Sequence, residues 1–251
     1  MQAVAPLQAC RRRFTSMVRR FTVRRSENAA ASTIPDRRAH RVRHISCEQL
    51  DDRRRTLFDA CDLLADGFDE LEGLIAEYVR SVPITPRDAG DADAERFLQW
   101  LSEQDDLTDE QRDYVACQQG YRAVEFVALA QRLAHARFQE RLSLNELNLP
   151  RLDRRSQLNV TLNPIHVWAV FETRALIDDD EPLPASVLFF PVGHEIRTVV
   201  VDTPAEELIR FLADSGTIRT RSLFRHWPTA ERTELVAMLR ELAAVGLITL
   251  T

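Results

Sequence analysis

Histidine and cysteine are the side chains from which a hydrolytic, redox or metal site is usually built. The chain offers His40, His44, His135, His166, His194 and His226, with Cys10, Cys47, Cys61 and Cys117. No histidine opens an H-x-E pair, and the cysteines are too widely spaced for a C-x-x-C site or a paired disulfide framework. His135, four residues before Gln139 on a predicted helix, could contribute to a metal site, but a packed or surface histidine is the simpler reading. His166 and Glu172 lie six apart on one predicted strand and so share a face, yet no third ligand accompanies them. Cys117 would be a nucleophile beside His135 only if the helix between them bent sharply; a buried, inert thiol is the default. No serine sits in a G-x-S-x-G turn, and every basic residue is arginine, so lysine-based Schiff-base and P-loop chemistry are excluded. The acidic run Asp178–Asp179–Asp180–Glu181 lacks EF-hand spacing and reads as a solvated linker, or as a dock for a basic partner. Neither catalysis nor a cofactor is expected of this chain.

Charge is unevenly distributed. Residues 1–43 hold 11 arginines against Glu27 and Asp36, a local balance of +9, within a chain whose net charge is −6. The remainder therefore stands at −15, which disfavours nucleic acid as a partner. Three readings of the basic arm stay open: an anion-binding tail, an organelle-type presequence, or a start codon set too early. Its composition favours disorder in each case. The longest apolar run, Ala185–Phe190, is strand-sized and far short of the about 18–20 residues of a membrane span, so no membrane partner is expected. With no apolar signal segment following Met1–Gln8 and no disulfide pattern, a cytoplasmic setting is expected.

The elements that would position these residues fall into two blocks. Ser46 and Gln49 form a capping box, after which Leu50, Leu57, Cys61, Leu64, Phe68, Leu71, Ile75 and Tyr78 recur at helical spacing, predicting one helix that ends at Val82–Pro86. A short helix over Ala92–Gln104 follows. Thr108 and Gln111 cap a long helix to about Leu142, with an apolar stripe of Val115, Val124, Val127 and Phe138. After Pro150 the pattern turns to strands at Leu158–Leu162, Ile165–Glu172, Val187–Phe190 and Ile196–Val201, with Gly193 suited to a tight hairpin between the last two. Helices are predicted at Pro204–Asp214, Thr220–Trp227 and Thr229–Val245; Gly246 then stops the chain before an edge strand at Leu247–Leu250. The expected fold class is α+β: an arm over 1–45, an antiparallel helical bundle over 46–150, and strands with a winged-helix-like module, a hairpin plus three helices, over 151–251.

Winged-helix modules commonly read DNA, and Arg219, Arg221 and Arg225 make a small basic patch. Across Ser186–Thr251, however, 7 arginines face 8 acids, and Glu231, Glu234 and Glu241 on the last helix would repel phosphate. A winged-helix transcription regulator is therefore the alternative reading. Strand addition is the leading one: an extended peptide pairs through its main chain with the exposed edge Ile196, Arg197, Thr198, Val199, Val200 and Val201, and Leu235, Met238 and Leu242 form the groove wall. For each of these three side chains, taken singly, plain core burial competes with that role. A proline at Val199 is expected to weaken such binding.

The stretch Val187–Thr251, with Val199–Val200–Val201–Asp202–Thr203–Pro204 leading into Leu208–Ile209–Arg210–Phe211–Leu212, resembles PqqD-like precursor-recognition domains. Those domains hold the leader of a ribosomally made peptide as an extra strand. Cys117–Gln118–Gln119–Gly120–Tyr121–Arg122–Ala123–Val124–Glu125–Phe126 and Arg132–Leu133–Ala134–His135–Ala136–Arg137–Phe138 resemble the helical half of partner subunits that accompany multinuclear non-heme iron oxidative enzymes of TIM-barrel fold, as in methanobactin and thiaglutamate biosynthesis. The resemblance covers about residues 46–251. It implies a non-catalytic subunit in a heterodimer, with the iron ligands in the companion enzyme and a cysteine-bearing precursor peptide as the cargo. It gives no role to the arginine-rich arm.

Overall fold

The computed structural model describes residues 16–17, 47–83, 91–152, 157–178, 180–227 and 232–251. In chain order its elements are β1 (Ser16–Met17), α1 (Cys47–Ala60), α2 (Leu71–Ser81), α3 (Asp91–Ser102), α4 (Asp109–Ala130), α5 (Arg132–Leu142), α6 (Asn145–Asn148), β2 (Asn159–Leu162), β3 (Val167–Phe171), β4 (Ala185–Val192), β5 (Glu195–Val201), α7 (Thr203–Ser215), β6 (Ile218–Arg219), α8 (Thr220–His226), α9 (Arg232–Ala244) and β7 (Ile248–Leu250). Helices combine with small antiparallel sheets, an α+β fold. The Ser46 capping box, the Pro86 helix stop and the Thr229 helix start lie outside the described residues.

The chain divides into two compact units. One comprises the described residues from Cys47 to Val127 together with those of Ala169–Pro184; the other comprises β1 and the described residues of Ala128–Trp168 and Ala185–Thr251. The expected boundary at residue 150 differs from this division, because α5 and α6 are bonded into the sheet-bearing unit. Gln139 accepts the Gly193 N–H at 2.9 Å, and Asn145 bonds β7.

In the helical unit the predicted first helix is interrupted. Cys61 leaves helical geometry at φ −126° and ψ 36°, a 3-10 turn spans Asp62–Asp66, and α2 begins at Leu71. The apolar period survives the break, since Cys61, Leu64 and Phe68 still face a core shared with Leu57, Ile75, Phe97 and Leu101. Gly67 lies against the Tyr114 ring, into which a Cβ would intrude. A buried network ties the first three helices together. The Arg53 guanidinium donates to both Asp93 carboxylate oxygens at 2.7 and 2.8 Å and to the Val82 carbonyl at 2.7 Å, while Tyr78 Oη donates to Asp93 at 2.9 Å. The predicted capping box at the start of α4 is present. Gln111 N–H donates to Thr108 Oγ1 at 3.2 Å, and Thr108 N–H to Gln111 Oε1 at 3.0 Å. The single long helix predicted to Leu142 is broken at Gln131, φ −108° and ψ 28°, into α4 and α5.

In the other unit two sheets run β1-β5-β4-β3 and β6-β2-β7, with Val167 and Trp168 of β3 belonging here. β4 and β5 form a hairpin from Ser186↔Val201 to Val192↔Glu195, closed by the two-residue turn Gly193–His194, where Gly193 takes φ 63°. Asp202 caps α7 by accepting the Ala205 N–H at 3.1 Å, with Pro204 in the first turn. Gly246, at φ 83°, ends the chain's last helical run, and its missing side chain leaves room for Val192. Leu188, Phe190, Val199, Leu208, Leu212, Leu239 and Ile248 are among the buried residues of this core.

Candidate functional site, a strand-accepting edge on β5

The hairpin determines which backbone groups of β5 are available at its outer edge. Pro191 has no N–H, and its carbonyl accepts from Asn163 Nδ2 at 2.9 Å and Gln139 Nε2 at 3.3 Å, so it is turned away from its partner Ile196. Pairs in an antiparallel ladder alternate between bonded and non-bonded. Val192–Glu195, Phe190–Arg197, Leu188–Val199 and Ser186–Val201 are therefore the bonded pairs. The main-chain groups of Ile196, Thr198 and Val200 point the other way, to the edge on which β1 lies. Ser16 sits opposite Val199 and Met17 opposite Thr198, antiparallel to β5.

The six predicted edge residues thus divide into two sets. Val199 and Val201 turn their side chains into the core, at 1% and 4% exposure, and Arg197 on the same face donates Nη1 to the Val245 carbonyl at 2.8 Å. That bond ties β5 to the end of α9, and Arg197 Nε is buried with no acceptor among the described residues. Ile196, Thr198 and Val200 are half-buried on the opposite face. Of the predicted groove wall, Leu235 and Leu242 are fully enclosed in the core, so only Met238, partly buried against that core, keeps surface. Leu235 and Leu242 hold α9 in place and have no surface with which to touch a bound strand. The proline test expected at Val199 is also corrected: the Val199 N–H belongs to the β4 ladder, and Thr198 supplies the edge amide.

The other sheet closes its corresponding edge. β7 pairs with β2 on one side. On the other, Asn145 accepts the Leu250 N–H at 2.8 Å and donates to the Ile248 carbonyl at 2.8 Å, while Asn148 donates to the Leu250 carbonyl at 2.8 Å. Two side-chain amides stand where a further strand would pair. Neither asparagine was singled out in the sequence, where the only signal is a pair of amides three apart in a short polar turn.

The other chemical candidates are dispersed. Among the described residues no group of three or more His, Cys, Asp or Glu side chains could hold a metal ion. His135 Nδ1 is buried without a partner among the described residues, and Gln139, its suggested companion, is committed to the hairpin turn. His166 Nδ1 is 2.9 Å from the Asn163 carbonyl. Burial pushes the Cys61 thiol up to about 12, which suits an inert core residue. His40 and His44, four apart, Cys10 and Asp179 lie outside the described residues. Beside the site, the Ser186 hydroxyl and Arg210 hold the Glu206 carboxyl below its usual range, whereas burial, with Asp202 nearby, raises that of Glu241 on α9. Arg219, Arg221 and Arg225 are exposed around the start and last turn of α8. No helix among the described residues is long and apolar enough to cross a membrane. No family model matches the sequence, and no curated protein or solved structure gives a significant match.

Proposed function

We propose that the chain is a non-catalytic partner subunit that binds the leader of a ribosomally made precursor peptide as an added strand on β5. In this reading it presents the peptide's cysteine to an iron-dependent oxidative enzyme of TIM-barrel fold. The observation that carries the reading is the edge itself: β5 takes a backbone strand in antiparallel register, whereas the edge of β7 is closed by Asn145 and Asn148. The run β4–β5–α7–α8–α9 supports a winged-helix-like recognition module, and α1–α4 a bundle facing the enzyme. Large apolar side chains are exposed in each unit, Phe126 at 65% in one and Leu129 and Leu133 at 76% and 70% in the other, and such surface suits association with a second protein. A bound peptide gains from effective concentration, because its modifiable segment is tethered near the companion's active site.

DNA binding is the second reading, favoured by exposed Arg219, Arg221 and Arg225, and opposed by Glu234 and Glu241 on α9. Co-expression with a multinuclear iron enzyme of TIM-barrel fold is expected to yield a stable heterodimer that carries iron, whereas this chain purified alone carries none. Iron retained by the isolated chain, or salt-sensitive DNA binding abolished by neutralising the three arginines, would overturn it.

A further inference from the structure

The arginine-rich arm, which the sequence leaves without a role, contributes β1, and β1 occupies the edge assigned above to the peptide. We infer that the arm is an internal stand-in for that peptide: a latch strand, centred on Met17, that the incoming leader displaces from β5. The inference rests on the peptide-binding reading and adds a regulatory step to it. Three observations carry it. Thr198 is one of the β5 residues whose main-chain N–H and C=O face outward, and Met17 is the residue opposite it. Ser16 lies opposite Val199, whose main chain is turned to β4, so Met17 makes the bonded pair. The arm's balance of +9 against −15 for the remainder draws the segment toward the body, with Arg11, Arg12 and Arg13 before β1 and Arg19 and Arg20 after it in sequence.

A latch of this kind reduces apparent affinity in proportion to its occupancy. An edge blocked nine-tenths of the time binds a competing strand about ten-fold more weakly than an open one. Covalent tethering lets even a two-residue pairing compete, because it supplies an effective concentration on the order of millimolar. Raised ionic strength screens the arm from the body and opens the edge.

Amide hydrogen exchange in the full chain tests this at two adjacent residues. In a Met17→Pro variant the Thr198 amide is expected to exchange at least about ten-fold faster than in the unaltered chain, while the Val199 amide, bonded within the hairpin, keeps its rate. Faster exchange at both residues would mean general loosening, and an unchanged Thr198 rate would mean no latch; either result overturns the inference. A synthetic peptide of residues 11–22, added in trans, is expected to restore Thr198 protection in the variant at about ten-fold lower concentration than it needs to exchange with the arm of the unaltered chain. Equal concentrations would overturn the latch. A precursor peptide that leaves Thr198 unaffected in both proteins, while Met17→Pro still accelerates it, sinks the peptide-delivery reading but leaves the self-occupied edge standing.

Discussion

At Asn145 one amide accepts from the Leu250 N–H and donates to the carbonyls of Ala243 and Ile248, so a four-residue helix satisfies groups on both β7 and the end of α9. Asn145→Ala leaves those buried groups without partners and is expected to lower stability by about 2–4 kcal/mol, read from urea unfolding. Asn145→Asp retains the acceptor for Leu250 and loses both donors, so it also destabilises. Nothing local announces this role, because the partners lie as far as 105 residues along the chain. At β5 the strand, its alternation and the hairpin turn were legible from valine content and Gly193. The phase of its backbone was not: which of Thr198 and Val199 faces outward depends on Pro191 and the amides that hold its carbonyl.

Among the elements, the helices α1, α2 and α3 are held by one buried ion pair with Tyr78 as a third member, over whose ring the Arg53 guanidinium lies at 5.0 Å. Desolvation and the bond to Asp93 push the Tyr78 hydroxyl up to about 12. Replacing Asp93 with Ala strands a buried guanidinium and is expected to cost about 3–5 kcal/mol, measured by thermal or urea unfolding. Asp93→Asn, which keeps an acceptor but not the charge, should fall short of that loss. The apolar spacing of the first segment correctly marked its inward residues, yet it hid the interruption after Ala60, since a 3-10 turn carries Cys61 and Leu64 inward in the same phase. The capping signature of Thr108 and Gln111 located the start of α4, because that chemistry is local. The break at Gln131 carries no Pro or Gly and left no such mark, and the interruption after Ala60 holds only Gly67, at the end of its 3-10 turn.

For the whole molecule, the order of helices first and strands later was readable from the switch of apolar period near Pro150. The division into units was not, because it follows long-range bonds: Gln139 to the hairpin turn in one unit, and Asp113 accepting the Glu172 and Thr173 N–H groups at 2.9 and 2.8 Å in the other. Charge separation between arm and body was visible in composition, whereas the seating of β1 on β5 is a pairing that composition does not encode. The central claim is that the outer edge of β5 binds an extended peptide through the Thr198 main chain. Calorimetric titration of a cysteine-bearing precursor peptide into the unaltered chain and into Thr198→Pro tests it most directly. With the hairpin and melting behaviour intact, the variant is expected to bind at least about ten-fold more weakly, having lost one edge hydrogen bond and the close approach of the strand. Equal affinity in the two proteins would contradict it.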